Sequence, residues 1–127
     1  MRLLLPALLA ASLSVTPVLA SEDNPSFSKV YQAFQTASAN KEVTKALRLS
    51  EQALSLGEKQ FGEDSENTAM LRYTYANMLA INKHHEQALS VYDDVYDAYE
   101  NLYGEDAEQM IQLAMSVITY YLSLIHI

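Results

Sequence analysis

The chain of 127 residues is 50% hydrophobic and 19% charged, with 16 Asp and Glu against 8 Lys and Arg, a formal net charge of −8. That apolar fraction excludes a disordered chain, and the acidity argues against nucleic acid, which demands clustered Lys and Arg at phosphates. With no cysteine, disulfides, thiolate metal sites and thiol nucleophiles are excluded together, and three Gly with three Pro leave little turn material for an all-β fold.

Residues 1–20 read as a secretory signal peptide. Arg2 supplies the positive start, Leu3 to Val15 an apolar stretch, and Val18 and Ala20 the small residues at −3 and −1 of a cut before Ser21. A membrane anchor would need about 20 apolar residues, whereas Pro6, Ser12, Ser14, Thr16 and Pro17 dilute this one. The expectation is a periplasmic or secreted protein with no stable membrane span after cleavage, and residues 21–25 form a short linker.

An internal repeat organises the rest of the chain. Phe61-Gly62-Glu63-Asp64 returns 42 residues later as Tyr103-Gly104-Glu105-Asp106, and the same offset pairs Tyr31 with Tyr73, Asn40-Lys41 with Asn82-Lys83, Ala46-Leu47 with Ala88-Leu89, and Leu71 with Leu113. Each unit reads as two helices. Unit 26–64 has helices near 26–39 and 43–61, stopped by Gly62. Unit 65–106 opens with Ser65 as cap of a helix to about Ile81, and turns at Asn82-Lys83-His84. Its second helix carries Ala88, Leu89, Tyr92, Val95, Tyr96, Tyr99, Leu102 and Tyr103 on one stripe before Gly104. Unit 107–121 is incomplete, a first helix only.

Paired helices with small residues at fixed crossings resemble tetratricopeptide repeats: Ala76 matches the small residue of the first helix, Ala46 and Ala88 the alanine of the second, and Tyr92 the later aromatic. The longer unit is similar to the 42-residue variety of kinesin light chains and many bacterial proteins. Phe34 and Ile118 depart from the small residue matched by Ala76, and Ser50 departs from the aromatic. The resemblance implies an all-α fold: antiparallel helix pairs stacked as a short right-handed superhelical solenoid of about two and a half repeats.

Met110, Ile111, Leu113, Ala114, Met115, Val117, Ile118, Tyr120 and Tyr121 make the third unit apolar on nearly every side, so it expects cover from both flanks or self-association. Residues 122–127 resemble the translation of a sequencing adapter. They are read as a non-native tail, with natural sequence ending near Tyr121 in a longer gene.

Chemistry-bearing constellations are few. His84 and His85 point about 100° apart on a helix and lack a third ligand, so His84-His85-Glu86 reads as a polar turn, neither a metal site nor a hydrolase centre. Asp93, Asp94, Asp97 and Glu100 diverge along a helix, unlike a calcium loop. They form a solvated acidic face or a docking surface for a basic partner. Glu63-Asp64 and Glu105-Asp106 precede new helices, where acids suit free N–H groups. No catalytic residue and no cofactor is expected.

The resemblance implies a concave groove lined by the first helices, with inward positions Tyr31 and Gln35, Tyr73 and Asn77, and Met115 and Thr119. Such a ladder suits an extended peptide or partner helix. The reading is an exported protein-binding scaffold that works without catalysis. Its rival is the recognition arm of a larger envelope protein, either an energy transducer of the TonB kind or an enzyme with its catalytic domain further along.

Overall fold

The computed structural model describes residues 26–125, so the signal segment, the linker 21–25 and the last two residues lie outside them. Five helices follow one another: α1 Phe27–Ala39, α2 Val43–Phe61, α3 Glu66–Ile81, α4 His85–Tyr103 and α5 Glu108–Ile125. Each packs on the next, α5 most lightly, and among the described residues there is no strand. This is the all-α helical-repeat solenoid that the sequence resemblance implied.

Local chemistry sets the helix ends. Ser26 and Ser65 cap α1 and α3, their hydroxyls accepting from the N–H groups of Lys29 at 3.3 Å and Thr68 at 3.1 Å. Ser65, not Glu63 or Asp64, therefore supplies the cap hydrogen bond of α3, because it alone is adjacent to the first helical residue. Both tight turns are Schellman motifs. The N–H of Lys41 donates to Ser38 O and that of Glu42 to Ala37 O; one unit later Lys83 donates to Ala80 O and His84 to Leu79 O. The residue at the left-handed position is a lysine each time, Lys41 with φ 61° and Lys83 with φ 67°.

Gly62 and Gly104 end α2 and α4 with φ 91° and 92°, but with ψ 154° and 160°. They occupy the extended positive-φ region that is essentially reserved for glycine, and not the left-handed helical one expected for a helix stop. The chain thereby leaves each second helix extended, long enough to reach the start of the next pair.

Two apolar clusters form the core. Val30, Phe34, Ala37, Ala46, Leu49, Ala53 and Leu71 make the first; Ala69, Ala76, Leu79, Ala88, Tyr92, Val95, Tyr99, Met110 and Leu113 make the second. Helix α3 serves both, sending Leu71 one way and Ala69, Ala76 and Leu79 the other, as a helix between two neighbours must. Gly57 of α2 lets α3 come close: a Cβ there would stand 2.3 Å from Leu71 Cδ1. Arg72 and Glu58 pair at 3.1 Å across the same helices, and the Asn82 amide ties the end of α3 to Val43 O at 2.9 Å.

Two expectations need correction. Of the α4 stripe, Ala88, Tyr92, Val95 and Tyr99 are buried, whereas Tyr96 and Leu102 are exposed. The four buried residues span about 60° of arc at 100° per residue; Tyr96 lies about 40° beyond it, and Leu102 sits in the last turn. The capping role of Glu63-Asp64 falls to Ser65. The last helix runs to Ile125, into the segment 122–127, as Leu122, Leu124 and Ile125 extend its apolar pattern with no glycine or proline to break it.

The two turn types respond oppositely to substitution. Lys83→Gly relieves a left-handed side chain and is expected to stabilise the fold by about 1 kcal/mol. Gly104→Ala is expected to destabilise it by about 1–3 kcal/mol. Urea unfolding followed by circular dichroism checks both.

Candidate partner-binding groove

The first helices of the two complete pairs, α1 and α3, leave an open cleft of about 250 Å³ between them. Phe27, Tyr31, Phe61, Asn67, Met70, Leu71 and Thr74 line it. Its aromatic end is preassembled: Phe27 stacks on Tyr31 with centroids 5.6 Å apart and meets the edge of Phe61 at 5.2 Å, while Tyr31 leans on Phe34 at 5.7 Å. Gln35, one turn further along α1, is exposed.

Tyr73 and Asn77 are half-buried and already engaged. The Tyr73 hydroxyl donates to Ser116 Oγ at 2.8 Å, joining α3 to α5, and Asn77 Oδ1 accepts from the Tyr92 hydroxyl at 2.7 Å. Tyr73 is also the middle of a continuous row of rings. Tyr103, Tyr99, Tyr73, Tyr92, Tyr120 and His85 succeed one another at centroid distances of 5.4, 6.1, 6.2, 6.0 and 5.7 Å. Edge-on and tilted arrangements of this kind add to burial because ring edges and faces carry opposite charge. The row ends on partners of opposite kinds, Tyr103 donating to Glu66 Oε2 at 2.5 Å and Tyr120 hydrogen-bonding the His85 imidazole.

Met115 and Thr119 of α5 are exposed, and Thr119 donates its hydroxyl to Met115 O within its own helix at 2.8 Å. The six inward candidates thus divide. Tyr31 lines the cleft, Tyr73 and Asn77 lie in the joint between α3, α4 and α5, and Gln35, Met115 and Thr119 face outward without interhelical hydrogen bonds among the described residues. Asp93, Asp94 and Asp97 are exposed along α4, with Glu100 half-buried. His84 and Glu86 are exposed while His85 turns to Tyr120, and among the described residues no three His, Asp or Glu side chains are grouped as metal ligands.

The family profile described as tetratricopeptide repeat matches residues 35–101, more than half of the chain. The chain belongs to the tetratricopeptide repeat family. No curated protein and no solved structure matches it.

Within this tetratricopeptide repeat chain, the departures from pattern are paired by size. The first unit buries large Phe34 on its first helix and small Ser50 on its second; the next unit buries Ala76 and Tyr92 at the corresponding places. The Ser50 hydroxyl is satisfied by Leu47 O at 2.8 Å, so its burial leaves no orphan donor. Phe27, Phe61, Asn67, Met70 and Thr74 belong to the cleft and were not among the sequence candidates. Phe27 and Met70 could have been found, since they stand one turn before the candidates Tyr31 and Tyr73; Phe61 could not, since it arrives from α2.

The engaged phenols predict an alkaline transition. Burial, with Tyr73 and Tyr120 nearby, pushes the Tyr92 phenol up to about 12, and the hydrogen bond to Glu66 raises Tyr103 to about 12. Both hold their protons to higher pH folded than unfolded, so their contribution to stability is level below pH 10 and is lost as pH rises from about 10 toward 12. Tyrosinate absorbance with parallel circular dichroism checks this: a late-ionising class should persist until the helices melt, and Tyr92→Phe should remove part of it.

Proposed function

We propose that the chain is an exported scaffold of the 42-residue, kinesin-light-chain-like kind, which binds an extended peptide segment of a protein partner in the cleft between α1 and α3. Tetratricopeptide repeats generally mediate protein–protein interaction. The observation that carries the reading is the open, aromatic-ended cleft itself. Tyr31 and Phe27 form a rigid apolar wall with little side-chain entropy left to lose, and Asn67 and Thr74 offer polar atoms to a peptide backbone. Met70 stands exposed at the rim as an adaptable contact. Gln35 continues the lining along α1, and Met115 and Thr119 would extend it along α5. Tyr73 and Asn77 lie outside the cleft and hold its α3 wall to α5 and α4. The Arg2 start, apolar stretch and small residues at 18 and 20 support export with a cut before Ser21.

Selection of short random peptides against the full chain, followed by titration of the best binder, tests the groove. Met70→Asp is expected to weaken binding about tenfold or more, equivalent to about 1.4 kcal/mol, with the helical signal unchanged. Replacing Asp93 and Asp97 by Asn should leave that affinity as it was. Binders indifferent to Met70→Asp would refute the site. N-terminal sequencing of the protein recovered from the periplasm of a bacterial host tests export, and Ser21 is the expected first residue.

A further inference from the structure

The repeat sets two joints between first helices side by side, one closed and one open. Tyr31, Phe61, Leu71 and Thr74 line the cleft between α1 and α3. Forty-two residues on from them stand Tyr73, Tyr103, Leu113 and Ser116, at the joint of α3 with α5. That second joint is closed, since the Tyr73 hydroxyl donates to Ser116 Oγ at 2.8 Å. In the first joint the equivalent pair stays apart on opposite walls. Among the described residues the Tyr31 hydroxyl makes no hydrogen bond, and Thr74 donates its own proton to Met70 O at 3.0 Å. The Thr74 oxygen is left able to accept.

The rings of the two joints differ in step with this. Tyr99 of α4 meets Tyr73 at 6.1 Å and 78° and Tyr103 at 5.4 Å. Its counterpart in α2 is Gly57, and the ring comes instead from Phe27, the counterpart of Ala69. Phe27 also meets both neighbours, Tyr31 at 5.6 Å and Phe61 at 5.2 Å, but it lies nearly parallel to Tyr31, at 19°. The first joint therefore has the same two hydroxyl-bearing walls as the second without the bond that joins them.

We propose that a peptide unit of an extended partner segment completes this joint, its carbonyl accepting from the Tyr31 hydroxyl and its N–H donating to Thr74 Oγ1. The proposal rests on the reading of the cleft as a peptide groove. Donor and acceptor match on each side: the phenol has a proton to give, and the threonine oxygen has room to receive one. A trans peptide unit points its C=O and N–H in opposite directions, which lets a single unit lying across the cleft reach both walls. A helical segment does not fit. Its interior C=O and N–H groups are already paired, and one turn, about 10 Å across and 5.4 Å long, is larger than the cleft of about 250 Å³. The occupant is thus a segment with unpaired backbone and one large apolar side chain beside the bridging unit, laid against Phe61, Met70 and Leu71. No charged side chain lines the cleft among the described residues, so the bridging stretch itself is uncharged.

The probe is N-phenethylacetamide, one amide joined to one ring; the control is its ester, phenethyl acetate, which keeps the carbonyl and lacks the N–H. Each is titrated into the full chain and followed by ligand-observed nuclear magnetic resonance. The amide is expected to bind about three- to tenfold more tightly than the ester, the effect of one hydrogen bond. Thr74→Val should remove that difference, whereas Tyr31→Phe should weaken both compounds and preserve it. Met70→Asp should weaken both, which places them in the cleft, and circular dichroism should show the helices unchanged in every variant. Equal binding of amide and ester, no binding of the amide up to its solubility limit, or a difference that survives Thr74→Val each overturns the bridge. Selected peptides that depend on Met70 but not on Tyr31 or Thr74 would also overturn it while leaving the groove in place. Peptides and amide that all ignore Met70→Asp would remove the groove as well.

Discussion

Ala37, Ala46, Ala53, Ala69, Ala76 and Ala88 are all but sealed from water, and their methyl groups set how near α1 to α4 come to one another. Helix axes separated by 8–10 Å leave room for large side chains only between these crossings. That spacing decides where the aromatic residues go. Tyr92 and Tyr99 fill the space beside Ala76 and Ala88, and Phe34 plays the same part in the first cluster. Adding methylenes at one of the crossings costs about 1–3 kcal/mol, a large share of the margin available to a domain of this size.

Close approach also makes the structure a chain of neighbours. Helix α3 divides its apolar residues between two clusters, so neither cluster is complete without it. Its polar groups are shared in the same way: Arg72 reaches back to α2, while Asn77 and Tyr73 reach forward to α4 and α5. Helix α5 is different. It buries Met110 and Leu113 and leaves its outer row in solvent. In a stack whose stability is a sum of units and interfaces, such an element has, among the described residues, one interface fewer than α3. The candidate groove arises from this geometry, as a gap between first helices already held by their partners.

The fold was legible because its signals are local or periodic. The 42-residue offset, the Ser65 cap, the Asn-Lys turns and the two glycine stops located α1 to α4 within a residue or two of where they lie. Less of the site was legible. The inward positions recur at the 42-residue offset, yet nothing local reveals that Tyr73 donates to Ser116, 43 residues away, or that Asn77 is occupied by Tyr92. Phe61 joins the cleft only because α2 ends beside α1. Two local details were misread for physical reasons. Tyr96 looked apolar enough to be buried but lies past the edge of the covered arc, and the acids of Glu63-Asp64 stand too far upstream to cap α3.

The central claim is that each helix owes its stability to the neighbours that cover it. Amide hydrogen exchange resolved by mass spectrometry reads this most directly, because protection reports the free energy of opening each segment. The account predicts the greatest protection in α3 and α4, less in α1, and the least in the second half of α5, with an order that survives mild denaturant. Protection of α5 equal to that of α3 would contradict it.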